Sequence, residues 1–299
     1  MGQVTPDMSV ALNIADMSEE QLDVAERRIA GKYMQIVPWE IVLWGIGNTL
    51  IWLSLWPLVF MDIMPLWMAF PIALVCVHLS YLPSHDCQHS IIAREGRPLR
   101  WLNELVGHIA LIPMAAPLRY LRHTHMEHHR HTNDPELDPD FDVHAKNRRQ
   151  FFMQMLLKKQ PGNGGRDRYA ETLVRIGRPE LMIEAAAIRS VHTLVLIIGA
   201  WSGHAIEVAL LWWLPLQIMP FYISYYLSWK PHHPGSETSR YRDTSAFKSQ
   251  LGNLGSSGMQ YHIVHHLYPT IPLTKTPAAF RELKPILERR GCEFGGLTH

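Results

Sequence analysis

Apolar, uncharged runs alternate with polar, histidine-rich stretches along this chain, and the apolar runs come in two pairs. Ile41 to Phe60 carries no charged side chain over the length that a membrane-crossing helix needs, about 20 residues. After a turn around Asp62, Pro65 to Leu82 is again uncharged and just long enough to cross. The two read as a helical hairpin, with Trp39, Trp56 and Trp67 near its ends, where amphipathic rings favour the interface. His78, inside the second run, is expected to make a polar contact with other helices. A second hairpin is predicted from about Ser190 to Trp201 and from Ala205 to Ser228. Its first arm is short unless it runs back through Arg189 and Glu184, whose charges must then snorkel or pair.

The apolar run between the pairs, Trp101 to Leu118, has a different pattern. Asn103, Glu104 and His108 interrupt it, arginines bound it on both sides, and Pro113 and Pro117 break it. A segment of this kind is expected to enter and return on one side, as a re-entrant or interfacial hairpin. The predicted fold class is therefore all-α and integral to the membrane, with about four transmembrane helices as two hairpins plus a re-entrant segment, under a cytoplasmic histidine-rich cap.

The polar remainder adds short elements. SEEQLDVAERR has the capping-box pattern of a short amphipathic helix, Ser18 as N-cap and Gln21 three residues on. KNRRQFFMQMLLKK reads as a helix on the membrane surface, and GNGGRDR, residues 162–168, as a flexible loop without the strand and lysine of a phosphate loop. No basic segment followed by an apolar core opens the chain, so no cleavable signal peptide is expected. The expected organisation is a cytoplasmic N-terminal segment over 1–40, one membrane domain over 41–285 and a tail over 286–299.

Charge sets the orientation. Arg27, Arg28 and Lys32 precede the first apolar run and Arg94, Arg97 and Arg100 follow the second, whereas the turn between them has no basic residue. Both flanks, and with them both termini and the histidine-rich stretches, are predicted to be cytoplasmic. The formal net charge of +1 argues against a nucleic-acid binder that relies on a basic field.

The candidate chemistry lies in the histidines. In RHTHMEHHRHTN, Arg122 to Asn133, five of twelve residues are histidine, and His125, His128 and His129 fall within roughly 100° on a helix, so the three imidazoles are expected on one face. His262, His265 and His266 in QYHIVHHLYP repeat the H-x-x-H-H spacing, and His85 and His89 in SHDCQH are one helical turn apart. A lone histidine on a helix is usually a satisfied polar residue; three boxes at helical spacing are a metal site. One ion rarely takes more than about six ligands, so eight imidazoles imply two ions. Only Cys76, Cys87 and Cys292 occur, too dispersed for a cysteine-ligated centre.

The order H-x-x-x-H, H-x-x-H-H, H-x-x-H-H on two membrane hairpins resembles the integral-membrane fatty acid desaturase superfamily, whose relatives include carotenoid hydroxylases and ketolases. HHRHTNDPELDPD and YHIVHHLYPTIP are similar to its carotenoid-hydroxylase and bacterial acyl-desaturase branches. The resemblance covers about Ile41 to Pro285. It implies a non-haem di-iron centre that uses dioxygen to oxidise an unactivated C–H bond of a lipid, by desaturation or by hydroxylation. It also implies one further ligand after the last span, where WKPHHPG offers His232 or His233, with His232 favoured by its place in the stretch. The expected metal ligands are thus His85, His89, His125, His128, His129, His232, His262, His265 and His266. His123 and His131 are expected to stand outside this set.

Acidic and amide side chains around the boxes are candidates to hold the imidazoles through their other nitrogen. Asp86, Asn133, Asp134 and Asp138 are singled out. With no cysteine cluster, Rossmann glycines or haem domain, the chain implies an external donor of ferredoxin or cytochrome type. Basic residues in 145–168 suit an acidic carrier or anionic lipid headgroups equally. An acyl chain is the first expected substrate and a carotenoid ring the second. A histidine-rich metal transporter is a rival, but it needs ligands within the spans, where only His78, His192 and His204 come close. A bis-histidine haem protein needs paired histidines on facing spans, not clustered boxes.

Overall fold

The computed structural model describes residues 14–34, 36–160 and 167–297. Among them there is no strand. Eleven helices organise the fold: α1 (Glu19–Gly31), α2 (Trp39–Phe60), α3 (Leu66–Gln88), α4 (Arg100–Ala110), α5 (Leu118–Arg130), α6 (Arg148–Lys158), α7 (Arg168–Arg175), α8 (Glu180–Trp201), α9 (Ala205–His232), α10 (His262–Leu267) and α11 (Thr276–Arg289). Most of the loop expected at 162–168 lies outside the described residues.

Four helices, α2, α3, α8 and α9, are long and apolar enough to cross a membrane. They pair as α2 with α3 and α8 with α9, joined by short turns at 61–65 and 202–204. The first arm of the second pair does run back past Arg189 to Glu180, and Glu184 meets Arg119 of α5 at 3.9 Å. Only 6% of the apolar window of α8 is buried inside the chain, so its side chains need an apolar surrounding that the protein itself does not supply.

Helix α3 carries the first histidine box at its end. The helix breaks at Ser80 and resumes at Tyr81, which puts Pro83 in the resumed first turn, where its missing N–H is tolerated. Asn48 of α2 braces the break, its Nδ2 donating to the Cys76 carbonyl at 2.8 Å and to Ser80 Oγ at 3.1 Å.

The segment expected to be re-entrant forms α4, a broken turn and then α5. Eleven residues of helix rise only about 16 Å, roughly half a bilayer core. Its polar residues tie it down: Asn103 Nδ2 donates to the Cys87 carbonyl at 3.0 Å, while Arg122 of α5 reaches both that carbonyl, at 3.1 Å, and Glu104, at 2.7 Å. Gly107 lets the three helices close, since a Cβ there would lie 2.6 Å from Leu118 and 2.9 Å from the Cys87 Cβ. The first and second boxes are thereby held side by side.

On the polar side, α1 begins with the expected capping box at Ser18 and Gln21 and packs on α11. Its buried Glu26 accepts hydrogen bonds from Tyr268, at 2.7 Å, and Tyr241, at 3.1 Å. Tyr268 is two residues past the third box, so α1 reaches the chemistry through one phenol.

Candidate metal centre

All nine candidate ligands come together, from α3, α5, α9 and α10, in two adjoining groups. One facing atom from each of His85, His89, His125 and His265 lies within 4.8 Å of the others, and the same holds for His128, His232, His262 and His266. His129 stands at the edge of the first group, its Nε2 3.2 Å from His125 Nε2 and 3.0 Å from His265 Nε2. His123, His131 and His233 belong to neither group.

The H-x-x-H-H boxes differ from the single-faced arrangement expected of them. Residues i and i+4 of a helix are offset by about 40°, whereas i+3 is offset by about 60° the other way. That difference sends His125 and His129 to the first group and His128 to the second. In α10 the assignment is reversed, with His262 and His266 in the second group and His265 in the first. Each box helix therefore lies between the groups and serves both.

The chemistry of the donor set fits a pair of cations. Burial, reinforced by neighbouring imidazoles, holds His125, His129, His262, His265 and His266 well below the ordinary imidazole value, and His89 down to about 3. Burial thus favours the neutral form of these rings, the form in which an imidazole can bind a metal. Among the described residues, both ring nitrogens of His85 and the Nε2 of His266 are buried without any hydrogen-bond partner. Converging, unpartnered imidazole nitrogens are what metal ions require, and leaving them unpaired costs about 1–3 kcal/mol each.

His128 departs from the rest. Burial alone would lower it, but the Asp138 carboxylate, 2.9 Å from its Nδ1, raises it to about 9. Asp138 is itself buried; the adjacent His128 ring and the amides of Asp140 and Asn133 hold its carboxyl below the ordinary value against the effect of burial. A carboxylate so placed keeps a proton on Nδ1 and directs Nε2 into the second group. In the same way His232 Nδ1 donates to the Asp243 carbonyl at 3.1 Å, with its Nε2 3.1 Å from His262 Nε2.

The other three residues singled out around the boxes make different contacts. Asp86 lies 3.9 Å from His85 Nδ1, beyond hydrogen-bond reach, and accepts instead from the Leu273 amide at 3.3 Å, which joins the first box to the segment after the third. Asn133, at a positive φ of 65°, donates through Nδ2 to the Glu237 and Asp243 carbonyls, both at 2.7 Å. It thus supports the loop that contacts His232. Asp134 caps a turn, accepting from the amides of Glu136 and Leu137, and is hydrogen-bonded to no imidazole among the described residues.

A cavity of ≈ 450 Å³ opens beside the centre and touches both groups, at His85 and His125 and at His128 and His262. Its lining is mixed. Met114, Leu121, Met219, Ile223 and Leu227 form an apolar part, and Asp140, Lys158, Arg168 and Tyr169 a polar one. Tyr169 donates to Asp140 Oδ1 at 2.5 Å and Ser228 to Oδ2 at 3.1 Å. Tyr169 had no signal in the sequence, because a single tyrosine on an eight-residue helix has no periodic partner.

The protein-family comparison agrees with this geometry: the fatty acid desaturase model matches residues 63–297. The chain belongs to the fatty acid desaturase family. Among curated relatives, it is 41% identical over 63 residues to the sn-1 oleoyl-lipid 12-desaturase of Synechocystis sp., covering 21% of this chain and 17% of that protein. It is 22% identical over 239 residues to the sn-1 acyl-lipid omega-3 desaturase (ferredoxin) of Nostoc sp., covering 69% and 64%. It is 26% identical over 204 residues to the zeaxanthin 4-ketolase of Chlamydomonas reinhardtii, covering 66% and 40%. The chain thus spans less than two thirds of the length of each of these relatives. In this family member the four apolar helices are those of an integral membrane protein.

Proposed function

We propose that the protein is a membrane-bound, non-haem di-iron, dioxygen-dependent oxidoreductase that desaturates an acyl chain. The observation that carries this reading is the cavity that borders both histidine groups and is apolar over much of its wall. The nine histidines are the proposed ligands, five for one iron and four for the other. When bound, iron supplies the activation of dioxygen and the removal of hydrogen from an unactivated C–H bond. The residues of the chain hold and shield the reaction. Asp138 and the Asp243 carbonyl fix the orientation of His128 and His232, and Met114, Leu121, Ile223 and Leu227 keep a methylene chain beside the centre and water away from it.

The membrane domain is taken to span residues 41–285, between a segment at 1–40 and a tail at 286–299. Both termini and the boxes are proposed to be cytoplasmic, a reading supported by the arginines that flank the first hairpin. Electrons would arrive there from a ferredoxin- or cytochrome-type carrier. The similarity to the omega-3 desaturase (ferredoxin) of Nostoc sp. favours ferredoxin. A second reading, a carotenoid ring hydroxylase, has its support in the similarity to the zeaxanthin 4-ketolase over 66% of this chain.

Metal analysis of the detergent-purified protein, with lipid and pigment profiles of cells that express it, tests the proposal. We expect about two irons per chain, the number that two imidazole groups of this size hold, together with a new unsaturated acyl species. A hydroxylated carotenoid in place of that species selects the second reading. Stoichiometric zinc or haem with unchanged profiles overturns both.

A further inference from the structure

A groove of ≈ 520 Å³ lies beside the first histidine box and shares no lining residue with the cavity over the metal centre. Its apolar wall includes Ile36 and Val37, just ahead of α2, with Ile92 and Leu99 from the loop that follows the box. Its charged residues are Arg94 and Arg97; no carboxylate lines it, and among the described residues neither arginine is in an ion pair with one. The next arginine, Arg100 at the start of α4, is already engaged, donating to Ser90 Oγ at 2.7 Å and pairing with Glu104.

The position of the groove along the bundle identifies the class of ligand. Trp39, at the start of α2, is 55% exposed, and Trp101, at the start of α4, is 61% exposed. Exposed indoles at helix ends mark the level of the lipid headgroups. Two cations without counter-charges at that level, over an apolar floor, complement an anion joined to a hydrocarbon chain. A folded electron carrier presents a convex surface, whereas this floor descends to Ile92, which is only 3% exposed.

We propose that the groove binds one anionic phospholipid of the surrounding bilayer, its phosphate between Arg94 and Arg97 and its proximal acyl carbons against Ile36, Val37, Ile92 and Leu99. The groove adjoins the first box but supplies none of its imidazoles. Ser90, at a φ of 58°, directly follows His89, and the Ile91 amide donates to the Asp86 carbonyl at 3.1 Å, so the loop that lines the groove also closes the helix end that carries His85 and His89.

Native mass spectrometry of the full chain, released from micelles after equilibration with equal amounts of phosphatidylglycerol and phosphatidylcholine, provides the test. The wild type should retain one phosphatidylglycerol in preference to phosphatidylcholine. The double variant Arg94→Gln/Arg97→Gln should lose that preference by about thirtyfold, the product of two basic side chains at a membrane surface. Its iron content should stay unchanged, and Arg94→Lys/Arg97→Lys should keep most of the preference. Equal retention of the two lipids by the wild type overturns the proposal. So does displacement by inorganic phosphate alone, which would make the groove a simple anion site. A glutamine variant that keeps its lipid preference but needs more electron-donor protein for half-maximal turnover also overturns it and gives the groove to an acidic protein.

Discussion

At the scale of single residues, the centre depends on which nitrogen of each ring is committed elsewhere. His128 shows this most directly, because Asp138 at 2.9 Å occupies its Nδ1. Carboxylates that hold a metal-ligating imidazole in this way typically change metal affinity by 10–100-fold when removed, roughly. Asp138→Ala should therefore lower iron affinity by about that factor, read by competition with a chelator. Asp134→Ala should leave it unchanged, because among the described residues the Asp134 side chain is hydrogen-bonded only to the amides of its own turn. Equal losses in the two variants would mean that the loop, and not the imidazole bond, sets the affinity. A second contrast concerns His129 and His131. His129 Nε2 lies within 3.2 Å of two ring nitrogens of the first group, while His131 faces Glu127 at 3.7 Å, on another side of α5. His129→Ala should abolish turnover and reduce bound iron, whereas His131→Ala should retain both; iron loss in the latter would require a different ligand set.

At the scale of elements, much of the architecture was legible because helix length and charge are local properties. The two spans of the first hairpin were read to within a few residues, apart from the last turns of α3, which carry the box beyond the apolar run. The start of α8 was less clear, since a charged first turn hides a spanning helix until Arg119 is seen to meet Glu184 from a distant element. The eight box histidines were visible from spacing, but their division between two groups was not, because it depends on what packs on each side of α5 and α10. The role of α1 was invisible for the same reason: nothing in SEEQLDVAERR points to Tyr268, more than two hundred residues away. Glu26 accepts from two phenols, at 2.7 and 3.1 Å, and its own side chain is buried, so Glu26→Ala should destabilise the chain by about 1–3 kcal/mol, the cost of leaving a buried hydrogen-bonding group without its partner. Chemical denaturation in micelles measures this. If the midpoint does not move, α1 is only an ornament on α11 and does not support the third box.

For the whole molecule, the question is which side of the membrane the histidine cap faces, and here burial and charge combine into one argument. The outer surface of the bundle is apolar in a belt, with Leu43 at 72%, Trp67 at 75% and Trp201 at 92% exposure, and no partner among the described residues covers it. Below that belt lies the turn at 61–65, which contains Asp62 but no basic residue; above it lie the loops with Arg94, Arg97 and the histidine boxes. Basic loops are retained on the cytoplasmic side during insertion, so the turn should face outward and the boxes inward, where a soluble electron carrier can reach them. Cysteine labelling can decide the matter cleanly, because Cys76, Cys87 and Cys292 are all buried and give little background. In sealed cells, a membrane-impermeant maleimide should label Asp62→Cys and should reach Glu95→Cys only after permeabilisation. The reverse pattern would put the boxes outside, away from any cytoplasmic reductant, and the proposed redox chemistry would then need a donor on that face.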